Sequence, residues 1–171
     1  AVERAHLFRL ARPETWPAAS PALDPSLVTL LRGLHPHPAY VFDALWNVIA
    51  WNEAATTLLG AFDPSDPQRA NVLVRLFRDP SWRLLFADWE MIARSAVAQY
   101  RAATAGLAER HAILRTLEQT SPDFIALWNE QEVAATPAWR KVIDHPEAGR
   151  LVFDYAALGA GEQFHITIYT P

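Results

Sequence analysis

The chain has 171 residues, of which 51% are hydrophobic and 20% charged, and its formal net charge is −4. This length is typical of one domain with a substantial core, and the composition excludes a disordered chain. The absence of cysteine excludes disulfides, thiolate metal sites and a cysteine nucleophile. Scattered basic residues argue against direct nucleic-acid binding. No apolar run approaches the ~20 residues that cross a membrane, so we expect a cytoplasmic protein without membrane contact.

The first residues predict a helix and a linker ahead of the main domain. Residues 1–12 carry an apolar stripe opposite a polar face and begin in mid-helix, and we therefore expect them to be the tail helix of a preceding domain. Residues 13–25 are rich in proline and alanine and predict a linker. At its end, Asp24 and Pro25 form a helix start, because aspartate caps a helix and proline suits its first turn. The main domain is expected to span residues 26–171.

Residues 39–60 predict a hairpin that leads directly into a helix. Aromatic and β-branched residues predict strands at Tyr40–Phe42 and Trp46–Trp51, and the short connection forces them to be antiparallel. Asn52 stands where a helix N-cap belongs. Gly60 stands where a helix ends with a positive φ.

Apolar residues spaced by three and four predict the helices that follow. A short helix is expected over Asn71–Arg78, and one long amphipathic helix from Ser81 to about Thr104. Two more helices are expected, over residues 107–119 and 121–128. The long helix is expected to lie on the sheet.

The last third of the chain changes to the alternation of β-strands. Strands are expected over Trp139–Ile143, Leu151–Tyr155 and Phe164–Tyr169, with a loop at Gly159–Gly161 before the last one. The order ββ-helices-βββ predicts an α+β fold. Its five-stranded antiparallel sheet is closed by the first and last segments, and helices pack over one face.

Residues that carry catalysis are scarce. The sequence contains no serine elbow, no phosphate-binding glycine loop and no metal-binding histidine pair on a helix face. His145 and His165 fall in the strand region without a nucleophile, and a structural role explains each of them better. We therefore expect no enzyme, no metal site and no cofactor.

The concave face of the sheet and the long helix predict either an ordinary core or a pocket, because apolar walls with a few polar tips describe both. For Asn52, capping is the first expected role and ligand contact the second. The residues predicted to line a pocket are Tyr40, Trp51, Asn52, Phe77, Trp89, Ile92, Ala93, Ala96, Phe124, Trp128, Phe153 and Tyr155. A guanidinium group suits a ligand carboxylate, and the candidates are Arg75, Arg78 and Arg94.

Two resemblances favour the pocket. The stretch AWNEAATTLLG resembles the strand-to-helix signature of PAS domains. From about Leu27 to Pro171 the chain resembles the ligand-binding domain of MmyB-like transcription regulators. The matching pieces are PAYVFDALWNVIAWNEAA, NVLVRLFRDP, DWEMIARSAVAQYRA, SPDFIALWNEQEV, HPEAGRLVFDY and a final YTP. The opening AVERAHLFRLAR resembles the last helix of a Cro-like helix-turn-helix domain.

The resemblance implies a PAS-like sheet and a pocket for an apolar or fatty-acid-like molecule. It also implies a bacterial homodimeric regulator that contacts DNA only through an upstream helix-turn-helix domain. The alternative is a solid-core dimerisation module without a ligand. Two places depart from the family pattern. Gln131 stands where the family usually has a histidine, and Ala134–Ala138 lacks the usual basic, glycine-containing character.

Overall fold

The computed structural model describes residues 24–130, 140–160 and 163–171. The helices in these residues are α1 Pro25–Gly33, α2 Glu53–Leu59, α3 Pro67–Ala70, α4 Val72–Arg78, α5 Pro80–Leu85, α6 Trp89–Ala103, α7 Arg110–Thr120 and α8 Pro122–Asn129. The strands are β1 Ala39–Asp43, β2 Val48–Trp51, β3 Arg140–His145, β4 Gly149–Ala160 and β5 Phe164–Thr170. The tail helix and linker predicted before residue 24 lie outside these residues, as do Gln131 and Ala134–Ala138.

The five strands form one antiparallel sheet in the order β2-β1-β5-β4-β3. The first and last strands in the chain pair at its centre, where Val41 lies opposite Ile166. The predicted α+β, PAS-like fold is therefore confirmed, including the pairing of the first hairpin with the last strand.

Both faces of the central strands are covered. Tyr40 and Phe42 of β1 belong to the main core, which the sheet shares with helices α2 and α4–α8. Val41 and Ile166 belong to a second, smaller core that includes Leu31 of α1. Every residue of β1 is buried, which explains why its sequence is continuously apolar up to its last residue. Helix α1 lies on the sheet face opposite the main core.

The predicted long helix is divided into α5 and α6, so that prediction is wrong. Phe86 leaves the helical conformation and forms an isolated β-bridge with Ile143 of β3. The amide of Ala87 then donates to the carbonyl of Val142 at 3.1 Å. Apolar spacing continues across the break, and the sequence pattern therefore missed this pairing with a strand far along the chain.

Several strand boundaries also differ from the prediction. Strand β2 begins at Val48 rather than Trp46, because Trp46 has a φ of 68° and Asn47 makes an isolated bridge with Asn71. Strand β4 continues to Ala160, where a loop was expected. Within it, Gly159 pairs with His165 of β5.

Asn52 caps α2 as predicted and also ties three elements together. Its side-chain oxygen accepts from the amides of Ala55 at 2.9 Å and Ala39 at 3.1 Å. Its side-chain nitrogen donates to the carbonyls of Leu31 at 3.1 Å and His37 at 2.9 Å. Both acceptor and both donor positions of this buried amide are therefore used inside the protein.

Replacing Asn52 with alanine should destabilise the domain far more than the loss of an ordinary cap. Asn52→Ala removes the cap and leaves an amide and two carbonyls without their partner, which costs about 3 kcal/mol. The matched control is Ser121→Ala, because Ser121 caps α8 through one bond to Phe124 and its loss costs about 1 kcal/mol. Urea unfolding of both variants measures the difference, and equal losses would contradict this role of Asn52.

Candidate functional site

A cavity lies between the main-core face of the sheet and helices α4–α6. Its volume is about 60 Å³, and it is partly open to solvent. This volume holds several waters.

The sheet supplies a floor of three tyrosines and one lysine. Tyr40 comes from β1, Lys141 from β3, Tyr155 from β4 and Tyr169 from β5. The rings of Tyr155 and Tyr169 meet edge to face, with centroids 5.5 Å apart. Burial raises the pKa of all three tyrosines. They therefore present neutral hydroxyl groups at physiological pH.

The helices supply walls that are mostly apolar. Ile92 and Ala96 of α6 line the cavity, together with the polar pair Ser95 and Gln99 one turn apart. The amide nitrogen of Gln99 donates to the Ser95 hydroxyl at 2.8 Å. The remaining lining residues are Val72 and Leu76 of α4, Trp82 of α5, Phe86 directly after α5, and Trp46 from the turn between β1 and β2.

Trp46 enters the wall from a strained turn. A positive φ is rare for a bulky residue and costs about 1–3 kcal/mol. The turn is held by Asp43, whose carboxylate accepts from the amides of Leu45 and Asn47, each at 2.9 Å. Asn71 donates to the carbonyl of Leu45 at 2.8 Å and caps α4. The position of the Trp46 ring is thus set by a network of hydrogen bonds.

Four of the residues predicted to line a pocket lie on this cavity, and the other eight lie elsewhere in the core. The four are Tyr40, Ile92, Ala96 and Tyr155. Phe77, Trp89, Phe124 and Trp128 form a chain of ring contacts between α4, α6 and α8, with centroids 5.3–5.6 Å apart. The remaining residues pack within the core or hold the chain together: Trp51 against Phe62, Phe153 against Tyr169, buried Ala93, and Asn52 through its four hydrogen bonds.

The arginines proposed for a carboxylate are not among the described residues that line the cavity. Arg75 is buried between the rings of Phe62 and Trp82 and pairs with Asp79 at 3.1 Å. It also donates to the carbonyl of Leu59 at 2.8 Å, and so it holds the end of α2.

The other two arginines lie away from the cavity. Arg94 pairs with Glu90 at 3.4 Å and with Glu130. Arg78 is half-buried at the end of α4.

The charged group on the cavity is one that the sequence reasoning missed, Lys141. Its ammonium lies 3.8 Å from the ring centre of Tyr155, 5.5 Å from Tyr169 and 5.6 Å from Phe86. Burial lowers the pKa of this ammonium from 10.5 to about 7. A signal was present in the sequence: this is the single lysine of the chain. It stands two positions before the apolar Ile143, on the inward side of a strand.

Neither a metal-binding group nor a membrane-spanning helix is found in the described residues. No three histidine, aspartate or glutamate side chains in this part of the chain come together in a way that could hold a metal ion. None of its helices is long and apolar enough to cross a membrane.

A PAS-like sheet with helices across it and a partly open cavity between them is the architecture of a small-molecule-binding domain. The chain belongs to the family described as MmyB-like transcription regulator ligand binding domain, whose model matches residues 23–171. The resemblance found in the sequence motifs is therefore confirmed. A comparison with curated proteins finds no match.

The lowered pKa of Lys141 predicts how stability changes with pH. Between about pH 7 and 10.5 the unfolded chain keeps this proton and the folded domain releases it. The free energy of unfolding should therefore rise with pH in this window, by up to about 1.4 kcal/mol per pH unit from this group. Toward the upper end, the raised pKa of Tyr40 and Tyr169 acts in the opposite direction.

The variant Lys141→Met removes the titrating group, so it should be more stable than the wild type near pH 7 and should lose this rise. Urea unfolding at several pH values measures both effects. A parallel rise in the variant would show that the ammonium is not desolvated.

Proposed function

We propose that this domain is the sensor of a bacterial transcription regulator that binds an apolar or fatty-acid-like molecule in the cavity. The observation that carries the proposal is the cavity itself, whose aromatic and aliphatic walls surround a small number of polar groups. Such walls bury the body of a ligand, and the polar groups orient it. Membership of a ligand-binding family supports the same role.

We further propose that ligand binding is coupled to dimerisation and to DNA binding by an upstream helix-turn-helix domain. A ligand shifts such an equilibrium only when it binds one state more tightly than the other. Residues from every strand except β2 and from helices α4–α6 surround the cavity. An occupant therefore contacts both layers of the fold, and any change in their spacing changes its affinity.

A dimerisation module without a ligand is the second candidate. It is favoured by Val152 and Leu158 on the outer face of β4, which are 50% and 55% exposed. Large exposed apolar side chains on one strand are typical of a contact surface. Sedimentation at increasing concentration, with and without fatty acid, separates the two candidates, since a ligand-independent dimer with no fatty-acid binding supports the second.

Filling the cavity should abolish ligand binding. Ala96→Phe places a ring between α6 and the sheet, whereas the matched control Ala102→Phe adds the same ring on the exposed side of the same helix. Octanoate or dodecanoate should raise the melting temperature of the wild type and of the control by several degrees, as expected for a ligand well above its Kd. The shift should be absent in Ala96→Phe, and native mass spectrometry should show the same difference in bound fatty acid. Equal shifts in all three proteins would place binding elsewhere, and no shift in any of them would overturn the proposal.

A further inference from the structure

The described residues that line the cavity supply one positive charge and no counter-ion. Lys141 is the charged side chain among the described residues that line it, and none of these residues carries a carboxylate. The part of the chain that the structure describes offers the ammonium neither an ion pair nor a hydrogen bond, only the faces of aromatic rings.

These ring contacts compensate for only part of the lost hydration. A cation over an aromatic ring is stabilised only modestly. The Lys141 side chain is half-buried, and its lowered pKa indicates that the ammonium loses more from reduced hydration than it gains from the rings. An apolar residue at this position would pack against the same rings without that cost. The lysine is therefore poorly explained by the packing of the empty domain.

We propose that Lys141 is the specificity-determining residue of the cavity and selects an amphiphile with one carboxylate head group over a neutral analogue with the same body. The inference rests on the proposed function, since it needs the cavity to bind a small molecule. The carboxylate forms a charge-assisted hydrogen bond with the ammonium, while the body of the ligand lies along the apolar walls.

The surrounding groups favour a single negative charge. Tyr155 and Tyr169 beside the ammonium bear neutral hydroxyl groups, as does Tyr40, and the polar pair on α6 is uncharged. They can add hydrogen bonds to a carboxylate, but none of them neutralises a second charge. A dianion such as a phosphate monoester would leave one charge buried without a partner, which is strongly unfavourable.

Binding of the acid should also be linked to protonation. In the empty cavity burial brings the pKa of Lys141 to about 7, and a carboxylate beside the ammonium raises it again. Among the described residues that line the cavity, the other titratable groups are the three tyrosines, which remain neutral in this range. Affinity for the acid should therefore fall as the pH rises above about 7, while affinity for a neutral analogue should not change.

The test compares octanoate with octan-1-ol, and 3-phenylpropanoate with 3-phenylpropan-1-ol, by calorimetric titration of the purified chain. The wild type should bind the acid of at least one pair about ten-fold or more tightly than its alcohol, as expected for about 1.4 kcal/mol of head-group selection. Lys141→Met should lose this preference and still bind the alcohol. The matched control Arg140→Met removes the neighbouring, exposed charge of the same strand. This variant should keep the preference for the acid.

The pKa of Lys141 can be measured directly by NMR, because it is the single lysine of the chain. Protein labelled with carbon-13 at the lysine ε-carbon, and carrying no lysine in a tag, gives one signal. Its titration should shift to higher pH when octanoate is bound and should not shift with octan-1-ol. This measurement needs only the wild-type protein, and so it holds even if a variant folds poorly.

The outcomes separate this inference from the proposed function. If the acid and the alcohol of both pairs bind equally, or if Arg140→Met loses the preference as Lys141→Met does, the role of Lys141 is overturned while the cavity remains a binding site. If no compound of either pair binds the wild type, the proposed function is overturned, and the inference about Lys141 is overturned with it.

Discussion

Four hydrogen bonds from one buried amide, that of Asn52, fix α1, β1 and α2 relative to one another. The oxygen accepts from Ala39 at the start of β1 and from the first turn of α2, and the nitrogen donates to Leu31 in α1. Because β1 is hydrogen-bonded to both β2 and β5, this amide also sets where the centre of the sheet meets the helices. All four hydrogen-bonding positions of this amide are used within the fold, which gives Asn52 a structural role.

The cavity shows the opposite arrangement, a polar group that has no hydrogen-bond or ion-pair partner among the residues that the structure describes. Arg75 is a buried cation and Lys141 a half-buried one. Both lie over aromatic rings, but Arg75 also has a carboxylate and a backbone carbonyl. Arginine therefore completes its hydrogen bonding inside the fold, whereas the lysine does not within the described residues. This difference in hydrogen bonding distinguishes Arg75, which has a structural role, from Lys141, whose position is suited to a ligand.

The sequence predicts those structural elements that depend only on residues close to one another in the chain. The hairpin, the Asn52 cap and the alternation of β4 and β5 follow from neighbouring residues. Interactions between distant parts of the chain were not predictable in this way. The break at Phe86 depends on β3, and the position of Trp46 depends on Asn71. For the site, four lining residues were found because apolar periodicity marks an inward face. Lys141 does not belong to an apolar pattern, and its inward position follows from its pairing with Phe153 of β4, which packs against the main core.

Strand β1 separates the two cores by the thickness of a single backbone. Tyr40 lies on the cavity, while its neighbours Ala39 and Val41 lie in the core beneath α1. Closely packed interiors are poorly compressible. Any displacement of Tyr40 by an occupant therefore moves the two small side chains against Leu31. A displacement on the cavity side of β1 is therefore transmitted to α1 on the opposite face of the sheet.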